Sequence, residues 1–412
     1  MVTIEPTVLD AISRSYITLA FGIEQHVEGF VDAYFGPEEV RKAALAGEPI
    51  APADLLARAN DLLQQIAGGS YPEQRKRYLA AQVRAIVATC RKIAGDSLPY
   101  REEVRESFDI EPEHTPETLF DEAIAELDTL LPGEGDVNAR MTTWRRQYEI
   151  TPEVARPLID LISDEARRRT RAFVDLPAGE AVEYKMVQNE PWGGYNWYLG
   201  DAQSRVDMNT DLPICALDLP GLIAHEAYPG HHTEHALKEI NLYRGHGYGE
   251  HAIQLINTPE CVISEGIATL ADSVIFEPEE LASWLSGTVY PAAGLAGDPA
   301  REAAISQAQK HLRAVGANAA LLLHDQGATE DEVVNYLMRY GLRTKDEARK
   351  NLSFITHHLW GAYIFCYHAG RDLLSTWLNG VPAAERQPRF RTLLTEQVYP
   401  SQIRAWIEGA DA

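Results

Sequence analysis

The chain has 412 residues, 45% of them hydrophobic, and its 61 acidic side chains against 37 basic ones give a formal charge of −24. That is ample apolar chain for one large helical domain, with 1–175 and 176–412 as candidate lobes, and a surface so negative repels phosphate backbones and argues against a nucleic-acid partner. No run approaches the roughly 20 apolar residues of a membrane span, and residues 1–6 lack the basic and apolar regions of a leader, so the expectation is a cytoplasmic protein with no membrane partner.

Apolar residues recur at three- and four-residue spacing over 7–34, 52–67, 72–95, 116–131 and 152–173, which predicts an antiparallel array of helices separated by Pro, Gly and Asp signals. The pattern changes after residue 180. Segments 182–187 and 195–199 alternate and are rich in aromatic and branched side chains, with Pro191, Trp192, Gly193 and Gly194 as a turn between them and 204–209 as a third strand. A small antiparallel sheet is therefore expected, with an edge able to pair with an extended peptide. Segments 299–326, 329–341 and 383–409 are again helical in pattern, and 291–299 reads as a loop. Cys90, Cys215, Cys261 and Cys366 are far apart with no C-x-x-C, as expected of buried thiols in a reducing compartment.

The stretch from His225 to His232, HEAYPGHH, places three imidazoles and a carboxylate within eight residues. A metallopeptidase helix usually reads H-E-x-x-H, with the Glu taking a proton from water at the metal. Here Pro229 occupies the second His position. On an unbroken helix His231 would point about 120° away from His225, and His232 would lie about 10 Å along the axis. Proline and glycine interrupt a helix, and a two-residue bulge at Pro229 and Gly230 would bring His231 to the place of the missing imidazole. His225 and His231 are the expected ligands, with His232 the rival for the second place. The competing reading is a run of capping histidines around a helix break.

Zinc in a catalytic site takes three protein ligands. The apolar spacing of Val262, Ile263, Ile267, Leu270 and Val274 predicts a helix whose other face carries Glu265, the third expected ligand, and Asp272, an acceptor for an imidazole N–H. HEAYPGHH, the Glu-Gly-x-Ala segment at Glu265 and the later Tyr367-His368-Ala369-Gly370 resemble, in that order, the landmarks of the bacterial domain of unknown function 885 family, most strongly over residues 180–380. That family is similar to carboxypeptidase Taq and other gluzincin metallopeptidases. The resemblance implies a mainly helical zincin-like fold with a metal at the floor of a deep cleft, a short-peptide substrate, and peptidase activity of carboxypeptidase or oligopeptidase type.

Residues 346–378 predict one long helix, with His357, Trp360, Tyr367, His368 and Arg371 gathered on one face as a cleft wall. Tyr367 matches the family's Tyr-x-x-Gly tyrosine, which implies a donor to the oxyanion of peptide hydrolysis; His357, His358 or His368 is expected as a second donor, and Arg371 as a holder of a substrate carboxylate. The expected chemistry is zinc-assisted amide hydrolysis, one zinc per chain, with Glu226 as general base and then acid. Two other readings stay open: a metal-binding protein of this fold without catalysis, and a non-haem iron enzyme, whose facial triad also uses two His and one carboxylate.

Overall fold

Helices form at Ala11–Glu24, Pro52–Gly68, Glu73–Ile93, Glu117–Leu130 and Pro152–Thr170, close to where apolar spacing places them. In Pro52–Gly68 the buried residues are Leu55, Ala59, Leu62 and Ile66, one apolar stripe, and Pro52 opens the helix where no N–H is needed. The computed structural model describes residues 9–190, 192–211 and 213–410. Residues 1–8, with the leader expectation, and Pro191 of the expected turn lie outside it.

The predicted helix over 7–34 stops at Glu24. Its carboxylate accepts from the Gly29 and Val31 amides at 3.1 and 2.8 Å, Gly29 takes a φ of +84°, and the chain turns into a strand. The strands are β1 (Val31–Tyr34), β2 (Glu149–Ile150), β3 (Ala181–Val187), β4 (Gly194–Gly200), β5 (Gln203–Asn209), β6 (Ile214–Cys215) and β7 (Ile253–Leu255). β1 pairs with β7 and β2 with β6, so early segments are stitched to later ones.

The three-stranded sheet corrects the antiparallel expectation. Its order is β3-β5-β4: β4 and β5 form a hairpin on Asp201 and Ala202, both at a φ of 55°, whereas β3 runs parallel to β5. Alternation in sequence marks a strand and its faces but is silent on the neighbour it takes. β3 and β4, consecutive in the chain, therefore do not pair. β4 is left at the sheet edge.

The fold is mainly α, a large helical array around a cleft. At its centre lies Pro259–Ile275, buried on nearly every side, which crosses Ile364–Asn379 at Gly266 and Gly370. A Cβ on Gly266 would sit 2.8 Å from the Gly370 carbonyl oxygen, and one on Gly370 would collide with the Val262 carbonyl oxygen. Both collisions are with backbone, so no rotamer change relieves them. Gly370→Ala is expected to cost about 1–3 kcal/mol or more by overpacking, read as a lower urea midpoint; an unchanged midpoint would contradict the close crossing.

The expected helix over 346–378 is two helices, Lys345–Thr356 and Ile364–Asn379. The break falls at His357, whose backbone is extended, and Gly361 lies where the returning chain passes so close that a Cβ would come within 2.8 Å of the Ile355 carbonyl oxygen. Segment 299–326 likewise divides into Pro299–Gln309, a 3₁₀ turn at Lys310–Ala314, and Val315–His324. Segment 383–409 divides into Ala383–Thr395 and Pro400–Ile407. Part of the expected loop at 291–299 is the short helix Tyr290–Ala293, ended by Gly294 in the left-handed region. Glu330–Tyr340 forms as expected behind a Thr329–Glu332 capping box. No helix among the described residues is long and apolar enough to cross a membrane.

Candidate metal centre and cleft

The motif helix Leu219–Glu226 and the helix His231–Lys238 are joined by 227–230, and the hydrogen bonds across the joint give its arithmetic. The Gly230 amide bonds the Ala224 carbonyl at 2.9 Å and the Thr233 amide bonds the Ala227 carbonyl at 3.2 Å, each spanning six residues where a helix spans four. Two residues are looped out. Gly230 is required at the joint because a Cβ would collide with the carbonyl oxygens of Ala224 and His225. The Tyr228-Pro229 peptide is cis.

With two residues removed from the helical count, His231 faces His225. Their rings are 4.8 Å apart and nearly perpendicular. Glu265, from the central helix, closes the group: its Oε2 lies 3.4 Å from His225 Nε2 and its Oε1 lies 3.9 Å from His231 Nε2. Glu226 Oε1 stands 4.0 Å from His225 Nε2.

The surroundings fix the state of each group. His231 Nδ1 is 3.0 Å from Ser264 Oγ, and Ser264 gives its one hydroxyl proton to Glu234 at 2.6 Å. Ser264 can then only accept from the imidazole, so Nδ1 carries the proton and Nε2 offers its lone pair toward Glu265. Burial pushes His225 down to about 4 and His231 well below its ordinary value, so both rings are neutral, the state a metal needs. Tyr363 donates to Glu265 Oε1 at 2.8 Å, while Glu265 Oε2 is buried with no hydrogen-bond partner.

An orphaned oxygen beside one neutral imidazole, on a carboxylate that faces a second, fits a divalent cation. Burial pushes both Glu226 and Glu265 up to about 8, Glu226 further raised by Glu265 itself. Between pH about 6.5 and 8 the unfolded chain has released both protons while the native metal-free protein still holds them. The native state then binds more protons, and stability falls as pH rises through this window. Below about 6.5 the buried imidazoles act in the opposite sense, because they refuse protons that unfolded ones accept. The urea midpoint of chelator-treated protein should drop from pH 6.5 to 8, and less steeply in Glu226→Gln; a rising midpoint would contradict the burial of the pair.

His232, expected as the rival ligand, points elsewhere. Its Nδ1 is 2.8 Å from Ser204 Oγ and its Nε2 is 3.3 Å from Glu180 Oε2. The same fully buried Glu180 accepts from Tyr228 at 2.6 Å and from Arg167 at 2.6 Å, so one carboxylate ties down both sides of the two-residue bulge. Asp272 is a second correction: it accepts from the Ser273 amide and meets no imidazole. His357 and His358 lie exposed in the break between helices, their rings 4.5 Å apart, and His368 packs on Phe365 at 5.6 Å. None of these three lines the cleft: His357 and His358 fall in the break between the two helices, and His368, on the same helix as Tyr367, turns to Phe365 instead.

The cleft has a volume of about 860 Å³, and His225, Glu226, Tyr367 and Arg371 all line it. Trp192, Gly193 and Gly194 form another part of its wall, where Gly194 brings β4 against Glu226. The Asn196 side chain, also from β4, donates to the Glu226 backbone carbonyl at 2.6 Å. Asp32, on β1, accepts from Tyr195, and burial pushes it up to about 6. Sequence reasoning missed Glu180, Ser264, Tyr363 and Asp32. Ser264 and Tyr363 carried a weak signal, adjacent to Glu265 and four residues before Tyr367; Glu180 and Asp32 carried none.

No family model and no curated protein matches the chain. Among solved structures, a protein named as a lipoprotein from Colwellia psychrerythraea is similar at 16% identity and a TM-score of 0.53, over 86% of this chain and 66% of its own. A protein named as a lipoprotein of unknown function from Shewanella oneidensis is similar at 12% identity and a TM-score of 0.50, over 96% of this chain and 82% of its own. The M32 carboxypeptidase from Deinococcus radiodurans R1 aligns at 11% identity over 97% of this chain and 94% of its own, with a TM-score of 0.43, too low to bear on function. The first two likenesses show a shared fold alone. This chain spans 66% of the length of the Colwellia protein.

Proposed function

We propose that the protein is a zinc-dependent peptidase acting on short peptides, with His225, His231 and Glu265 holding the metal. The observation that carries this is the buried, unpartnered Glu265 Oε2 facing His225, with Glu226 beside it in the wall of a cleft. Zinc held there would supply Lewis acidity and lower the pKa of a water toward about 7. Glu226 takes the proton of the attacking water at its carboxylate and passes it to the leaving amine. The Tyr367 hydroxyl, which burial keeps protonated, donates to the carbonyl oxygen as its charge develops. Edge strand β4 runs past Glu226 and offers main-chain groups to an extended peptide, and the cleft has room for a short one.

The resemblance to the domain of unknown function 885 family supports the same reading, since its landmarks meet in space: the Gly-containing segments of Glu265 and Tyr367 are the two sides of one helix crossing. We place the protein in the cytoplasm on its four buried, unpaired cysteines. The test is a mixed peptide library read by mass spectrometry, with metal analysis of the same sample. Cleavage with about one zinc per chain is expected. Bound zinc with no cleavage would leave a metal-binding protein, and bound iron with oxygen consumption would replace the hydrolase.

A further inference from the structure

The cleft carries a group of cations that the proposed hydrolysis leaves unused. Of its basic side chains, Arg145 is paired with Asp218 at 2.5 Å and Lys350 donates to the Glu190 carbonyl at 3.3 Å. Lys310 and Arg313, from the 3₁₀ turn Lys310–Ala314, and Arg371, from Ile364–Asn379, line the same cleft differently. Among the described residues, none of the three has a carboxylate within ion-pairing distance; Lys310 reaches Gln307 and Arg371 the Thr269 carbonyl. They also crowd one another. Arg313 is lowered to about 10 by burial and then by Arg371, and Lys310 is lowered by burial and then by both arginines. Asp272 and Asp372 draw on the group from a distance, without pairing. In a chain of charge −24 with acids to spare, three adjacent unpaired cations in a cleft are a costly arrangement unless an anion completes it.

We propose that Lys310, Arg313 and Arg371 form a subsite for a substrate carboxylate, so that the cleft selects peptides presenting a free carboxylate. This rests on the peptidase reading for the nature of the substrate, though the subsite itself needs no turnover. One ammonium and two guanidiniums suit a carboxylate, which accepts from several N–H donors at once. The carboxylate comes from the peptide C-terminus or from an acidic side chain. Arg371 alone was legible as its holder in the sequence; Lys310 and Arg313 arrive from a segment with no apparent chemistry.

The experiment is calorimetric titration of full-length Glu226→Gln protein with three probes: Ala-Ala-Ala, its C-terminal amide, and the amide of Ala-Glu-Ala. The free acid should bind about 10- to 100-fold more tightly than its amide. Tighter binding of the Glu-containing amide than of the alanine amide would support the subsite with a side chain as source. Arg313→Gln and Lys310→Gln, each made separately so that one misfolded variant leaves the other to report, should move the acid-to-amide ratio toward one. Equal affinities for all three probes, or a preference unmoved by both substitutions, would overturn the proposal. If the parent cleaves no peptide while the acid preference persists, the peptidase reading falls and the subsite stands.

Discussion

Glu226→Gln is expected to keep the metal and lose about 10²–10⁴-fold in peptide turnover, the scale on which a positioned acid–base group contributes. The change is nearly isosteric, and the side chain stands 4.0 Å from His225 Nε2 without being one of the three proposed ligands. Glu226 is buried and pushed up to about 8, so Gln removes a group that is costly to ionise in the metal-free protein and should not unfold it. Activity and stability are therefore expected to move in opposite directions above pH about 6.5. Steady-state kinetics beside urea denaturation reads both, and full activity in the variant would remove Glu226 from the chemistry.

The second large effect separates two adjacent histidines. His231→Ala should abolish zinc binding, because it removes one of two imidazoles facing Glu265. His232→Asn should retain zinc while lowering stability by about 1–3 kcal/mol, because Glu180 and Ser204 lose a buried partner. Zinc titration with a competing chelator distinguishes the two. Loss of zinc in His232→Asn alone, with His231→Ala unaffected, would reverse the assignment.

The bulge was legible in the sequence because proline and glycine are the residues that local sterics force out of a helix, and the two-residue excess follows from counting. What Tyr228 and His232 do there was not legible, since their partner Glu180 lies just before β3, well upstream, and no local pattern points to it. Most helices were readable for the usual reason, a persistent apolar stripe such as Leu55, Ala59, Leu62 and Ile66. Persistence also misled. The apolar spacing from Ile355 to Leu373 continues across Gly361, so one helix was expected where the backbone folds into two, and His357 falls in the break instead of in the wall with Tyr367 and Arg371. The parallel placement of β3 is a matter of tertiary pairing, which alternation does not encode.

The cleft itself depends on glycines whose role appears only in three dimensions. Gly266 and Gly370 let the central helix and the Tyr367 helix touch backbone to backbone, which brings Tyr363 to within 2.8 Å of Glu265. A larger residue at either position would separate the proposed ligand from the hydroxyl that orients it.

The most direct test of the whole account is a crystal of zinc-loaded protein measured on both sides of the zinc absorption edge. One anomalous peak per chain, in contact with His225, His231 and Glu265 and with no protein thiolate, is the predicted result. A peak lying elsewhere, or none from protein saturated with zinc, would contradict it.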